Sequence, residues 1–194
     1  MLAWHDSTMT FAVRGTPRDF DLPSGTALPD SLRLIVPPSV AGKYLLVSAW
    51  LILKMIGDNE WKRPLCFLVT VPPEAVSWLQ PFARFDGLCH RLVPIANAPF
   101  DTELVKKTLL HNCIYRGYND PGVRIDPMSQ MMAMNYYAGM LQLMNAQAKS
   151  GDTLACTQTR AMMLQYLPPE RLEWPDQIKN AAQQLCSPID QSKL

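Results

Sequence analysis

Along this chain the spacing of apolar residues changes once, and the change divides it. Thr10 to Arg14 (TFAVR) and Leu32 to Val36 (LRLIV) have the two-residue, β-branched rhythm of strands. Pro37-Pro38 closes the second run, and Ser39 offers an N-cap for a helix from about Val40 to Ile56, with Tyr44, Val47 and Leu51 along one side. Apolar residues nearly all round that helix predict one sandwiched between layers, stopped by Gly57-Asp58-Asn59. Leu65 to Val71 (LCFLVTV), fenced by Pro64 and Pro72-Pro73, is continuous and apolar, as strands buried on both faces are. LRLIV, the helix and LCFLVTV together predict a βαβ unit. Glu74 to Phe85 reads as a short helix, and Cys89 to Ile95 (CHRLVPI) as a strand confined to an edge by Pro94.

From Asp101 onward the period is helical. Acidic residues at 101–103 open a helix reaching about Cys113, and a proline-stiffened loop follows (Arg116 to Pro127). Helix is expected from Met128 to Lys149, broken at Ser150-Gly151, resumed from Asp152 to Tyr166, stopped by Pro168-Pro169, and present again from Pro175 to about Cys186. A helix, a Gly-Asp turn, a second helix and a proline have the proportions of a tetratricopeptide hairpin. Cys156 takes the small-residue position and Pro168 the closing proline, but Gln147 and Met163 stand where Tyr and Ala are usual. The fold class is therefore α+β. An irregular segment (1–31) precedes a small α/β layer (32–97, a βαβ unit plus an edge strand), and tetratricopeptide-like α-helical hairpins (98–194) pack on that layer.

Composition narrows the function. Lys plus Arg (18) nearly cancel Asp plus Glu (17), for a net charge of +1, which disfavours nucleic acid as a partner. The longest apolar run, Tyr44 to Ile56, contains Lys54 and is too short for a membrane span of about 20 residues. The chain is expected to have no transmembrane segment. Seventeen prolines against nine glycines predict stiff connections, and eleven methionines predict a Met-rich helical core.

No constellation for catalysis, cofactor binding or metal ligation is visible, so the chain is expected not to be an enzyme and to carry no cofactor. The five cysteines form no C-x-x-C pair, and glycine-rich phosphate loops are absent. Histidine is scarce (His5, His90, His111), and Cys89-His90, adjacent on a strand, point to opposite faces. The alternative is a small soluble enzyme with a reactive thiol such as Cys89. Candidate contact residues are Asn59, Trp61, Lys62, Arg63 and Pro64 of the N-E-W-K-R-P turn, where Trp and Arg are favoured anchors. Gly87, Arg91 and Pro94 of FDGLCHRLVPI join them: Gly87 as a positive-φ turn, Arg91 as a partner for Asp86 or Asp58.

These two segments in this order, with the loop Tyr115 to Asp126 and the hairpin after it, resemble the C-terminal soluble region of a bacterial family. Its members are large multi-pass membrane proteins related to protein O-mannosyltransferases of the glycosyltransferase-C superfamily. The resemblance covers roughly residues 30 to 170. It implies a non-catalytic accessory domain that packs on the membrane part or binds polypeptide. Its partner would be a protein or peptide, and its place the extracytoplasmic face of the inner membrane, or the cytoplasm if it is free-standing. The family's catalytic carboxylates lie in the membrane bundle, so no catalytic residue carries over.

Overall fold

Alternation sets the first pairing. The computed structural model describes residues 2–4 and 7–186, so His5 lies outside the described residues. Two strands near the start, β1 (Leu2–Ala3) and β2 (Ser7–Ala12), each find an antiparallel partner. β2 aligns with β3 (Ser31–Val36) from Ser7↔Val36 to Ala12↔Ser31, and β1 aligns with β4 (Tyr44–Leu45). Leu32, Leu34 and Val36 of β3 point into the core while Arg33 and Ile35 face out, as a period of two requires. The N-terminal segment is thus not irregular: it contributes two strands as well as the 3₁₀ turn Pro17–Phe20.

The first helix starts later than the pattern predicts. Ala41 (φ 48°) and Gly42 (φ 64°) turn the chain, and Val40 bridges Tyr44. Ser39 therefore belongs to a turn that feeds β4 and is not a helix cap. Helix α1 runs Val47–Asn59, passing through the expected Gly-Asp-Asn stop and ending at Glu60 in the left-handed region. It is not sandwiched: Ala49, Leu53 and Ile56 are buried, while Val47, Trp50, Leu51 and Met55 are exposed.

The expected βαβ unit does not form either. The apolar run around residue 67 yields only β5 (Cys66–Leu68), at the edge of a separate sheet ordered β5-β7-β6 and antiparallel to β7. A turn at Val69-Thr70, closed by the Val71 N–H donating to the Leu68 carbonyl at 3.0 Å, ends the strand after three residues, and Leu68 remains 61% exposed. A short helix α2 (Pro73–Val76) passes into a 3₁₀ turn, Ser77–Phe82, which leads to β6 (Ala83–Phe85). β7 (Cys89–Leu92) is the central strand and not an edge, because Pro94 falls beyond its last paired residue. The α+β class holds, with small antiparallel sheets in place of a parallel crossover.

The residues group into two compact units: one runs up to Arg84 and includes Cys89–Pro99; the other holds Phe85–Leu88 and everything from Phe100. In the second, Asp101 caps α3 (Thr102–Lys106), which continues as a π turn over Lys107–Asn112. Asp126 caps α4 (Pro127–Lys149) by accepting from the Met128 and Ser129 N–H groups. Asp152 caps α5 (Thr153–Tyr166) beyond a turn at Gly151 (φ 80°). Gly151 turns the chain at the expected Ser-Gly break, whereas Asp126, expected in the loop, and Asp152, expected as the first helical residue, are N-caps. α4 and α5 pair as a helical hairpin, followed by α6 (Pro169–Leu172) and α7 (Asp176–Gln184).

Inside the hairpin, buried Gln147 accepts a hydrogen bond from Thr159 Oγ1 at 2.9 Å, so the polar residue in the aromatic slot is satisfied. Met140, Met144 and Met163 are core, whereas Met128, Met131 and Met132 on the first turns of α4 are exposed, so only part of the methionine content is core filler. Tyr115 stacks on Tyr166 and meets Tyr136 edge-on, and Tyr137 packs on Trp174 with ring centroids 3.8 Å apart.

Gly87 is structural. It adopts φ 111°, and a Cβ there would lie 2.8 Å from the Thr108 methyl. Gly87→Ala should lower stability by about 2 kcal/mol, read as a reduced urea midpoint. Adding Thr108→Ala should restore only part of the loss, since it removes the clash and leaves the backbone strain.

Candidate functional site

The N-E-W-K-R-P turn is a rigid bracket. Glu60 (φ 46°) and Trp61 (φ 63°) are consecutive left-handed residues, neither of them glycine. Such a backbone persists only where surrounding contacts over-determine it. Here Asn59 Nδ2 donates to the Arg63 carbonyl at 2.7 Å, and the Lys62 N–H donates to the Asn59 carbonyl at 2.8 Å. Trp61 Nε1 donates to the Ala12 carbonyl at 2.9 Å, and its ring meets Phe20 edge-on at 5.4 Å.

Two arginines fix the opposite wall. Arg91 Nη1 donates to the Asp21 carboxylate, and Nη2 to the Asp19 carbonyl at 2.7 Å. Arg84 Nη1 donates to the carbonyls of Phe20 and Asp21, at 3.1 and 2.7 Å. The sequence offers Asp86 or Asp58 as the acid for Arg91; its partner is instead Asp21, brought over by the 3₁₀ turn. Asp58 faces Lys54 one helical turn away, at 2.6 Å.

Between these walls lies a groove of about 410 Å³. Arg14, Lys62, Arg63 and Arg91 line it with only two carboxylates, Asp19 and Glu60. Glu60 sits between Lys62 at 2.8 Å and Arg14 at 3.6 Å. The hydrogen bond and charge of Lys62, then the charge of Arg14, hold its carboxyl below the ordinary range, and the Thr16 N–H and hydroxyl do the same for Asp19. Arg63 is exposed and has no ion pair among the described residues. Phe20, Trp61, Pro64, Leu65 and Leu92 make the rest of the wall apolar.

Of the residues singled out in the sequence, Trp61, Lys62, Arg63, Pro64 and Arg91 line this groove, and Asn59 braces it from behind. Pro94 is buried outside the lining, and Gly87 belongs to the second unit. Sequence reasoning missed Arg14, Asp19, Glu60 and Phe20. Glu60 lay inside the motif, and its spacing from Lys62 was a usable signal. The other three come from the N-terminal segment, where no local pattern marks them.

The thiols divide. Cys156 and Cys186 form a disulfide that the scattered spacing did not announce. Burial pushes the Cys113 thiol up, the wrong direction for a reactive nucleophile at that position. His90, beside Cys89, stacks on Phe67 at 5.3 Å.

The motif carrying most of the groove also carries the comparison with known families. Residues 30–109 match the family model of TMEM260-associated domain 2. Neither a curated protein nor a solved structure matches the chain. The TMEM260-associated match suggests a TMEM260-related family and hints at an accessory domain of a membrane protein. It spans α1, the N-E-W-K-R-P turn, the three-stranded sheet and Arg91. No helix among the described residues is long and apolar enough to cross a membrane.

Proposed function

We propose that this chain is a non-catalytic interaction domain of a membrane protein, binding polypeptide through the groove between the N-E-W-K-R-P turn and the Arg91 wall. One observation carries the reading: the residues matching the TMEM260-associated domain include the braced, strained loop and Arg91, which form most of the lining of an open groove. Strain held in place by four separate contacts suits a recognition surface better than a simple connection. The motif resemblance extends the proposal to a bacterial, glycosyltransferase-C-related parent. The Cys156–Cys186 disulfide favours an oxidising, extracytoplasmic location.

Site-specific photo-crosslinking in cells tests it. A benzoylphenylalanine at position 62, on the groove, should give a discrete protein adduct that the same group at position 149, on exposed Lys149, does not. Equal labelling from both positions, or none from position 62, overturns the binding role. Transfer of a sugar from any donor by the purified chain overturns the non-catalytic part.

A further inference from the structure

We infer that the groove selects an acidic stretch of polypeptide, a carboxylate side chain meeting Arg63 and Arg14 while a neighbouring apolar side chain lies on Trp61. The inference rests on the binding role proposed above and supplies its chemistry. The lining holds four cations against two carboxylates, an excess of two where the whole chain has a net charge of only +1. Arg91 is committed to Asp21 and Asp19, and Lys62 to Glu60, so they set the field more than they offer donors. Arg63 is the uncommitted donor: its backbone is pinned through the Asn59 side chain, and its guanidinium has no acid among the described residues. A planar fork in that position suits a carboxylate. Arg14, at 3.6 Å from Glu60, is only loosely engaged and can turn to a ligand.

Apolar wall choose between anions. Trp61, Pro64 and Leu65 would lie idle against inorganic polyphosphate, whereas a peptide that alternates acidic and apolar side chains uses both halves of the lining. Glu60 then acts as a built-in competitor, occupying two of the cations until a ligand arrives.

Fluorescence anisotropy on the 194-residue chain tests this with a labelled peptide of alternating glutamate and leucine, its glutamine counterpart, and inorganic tripolyphosphate as competitor. The glutamate peptide should bind and the glutamine one should not. Arg63→Ala should weaken binding about tenfold, the scale of one charge-assisted hydrogen bond. Glu60→Gln should tighten it about threefold, a gain that damage to the loop would not produce. Arg124→Ala, on the second unit, should leave it unchanged. Failure of the glutamate peptide to bind overturns the inference, as does equal loss in the Arg63 and Arg124 variants, an unchanged affinity in Glu60→Gln, or displacement by tripolyphosphate at equal charge concentration. An adduct at position 62 with no affinity for the acidic peptide would leave polypeptide binding standing and remove only this chemistry.

Discussion

Reducing the Cys156–Cys186 disulfide should destabilise the helical unit by about 3–4 kcal/mol, the chain-entropy value for a cross-link closing a loop of this size. The two cysteines are 30 residues apart, and the bond ties the first turn of α5 to the end of α7. The nine residues of α7 are too few for a helix to persist alone in water; besides the disulfide, buried Ala182 and the Tyr137 hydroxyl donating to the Ile178 carbonyl at 3.2 Å anchor it. The loss should therefore be local first. Hydrogen exchange after reduction should show α7 amides losing protection while the buried middle of α4, from Tyr137 to Gln147, keeps most of its own. Mass spectrometry checks the premise: unfolded without reductant, the five-cysteine chain should take up three iodoacetamides, and five after reduction. Five adducts without reductant, or unchanged α7 protection, would contradict the assignment.

The second large effect belongs to Arg91. Its side chain is only 10% exposed, and its two nitrogens satisfy the Asp21 carboxylate and the Asp19 carbonyl. Arg91→Ala removes two charge-assisted hydrogen bonds and should cost about 3 kcal/mol, read from the urea midpoint. Asp21 is more than half exposed, so water can take over its carboxylate; the loss stays below that of an orphaned buried charge. Arg91→Lys should recover less than half, because a single ammonium cannot span both acceptors as the planar fork does. Arg63→Ala, on the same groove but exposed, should move the midpoint by no more than about 0.5 kcal/mol. Equal destabilisation by the Arg63 and Arg91 substitutions would mean that the groove's outer cations are part of the packing, and the division between wall and donor would fail.

The helical half was legible because its signals are local. The acids at 101–103 open α3, Gly151 turns the hairpin, and Pro168-Pro169 ends it, each within a few residues of the position it controls. Part of the candidate groove was legible for the same reason. Trp61, Lys62, Arg63 and Pro64 stand in one turn, and Arg91 at a strand's buried end.

Partner choice was not legible. LCFLVTV has the composition of a buried central strand, yet a turn at Val69-Thr70 leaves it a three-residue edge; CHRLVPI looks like an edge and takes the centre. Periodicity reports which faces are apolar, not which strand covers them, and a β-strand's neighbours are fixed by contacts distant in sequence. Arg91 reaches Asp21 across 70 residues, Trp61 reaches Ala12 across 49, and Cys156 reaches Cys186 across 30. By itself the sequence determined the α+β class, the helical hairpin with its turn and stop, and the turn that offers cations to solvent. Only the tertiary structure decided what faces that turn, because the opposite wall is brought to it by long-range pairing of β2 with β3 and by the arginines that hold the loop between them.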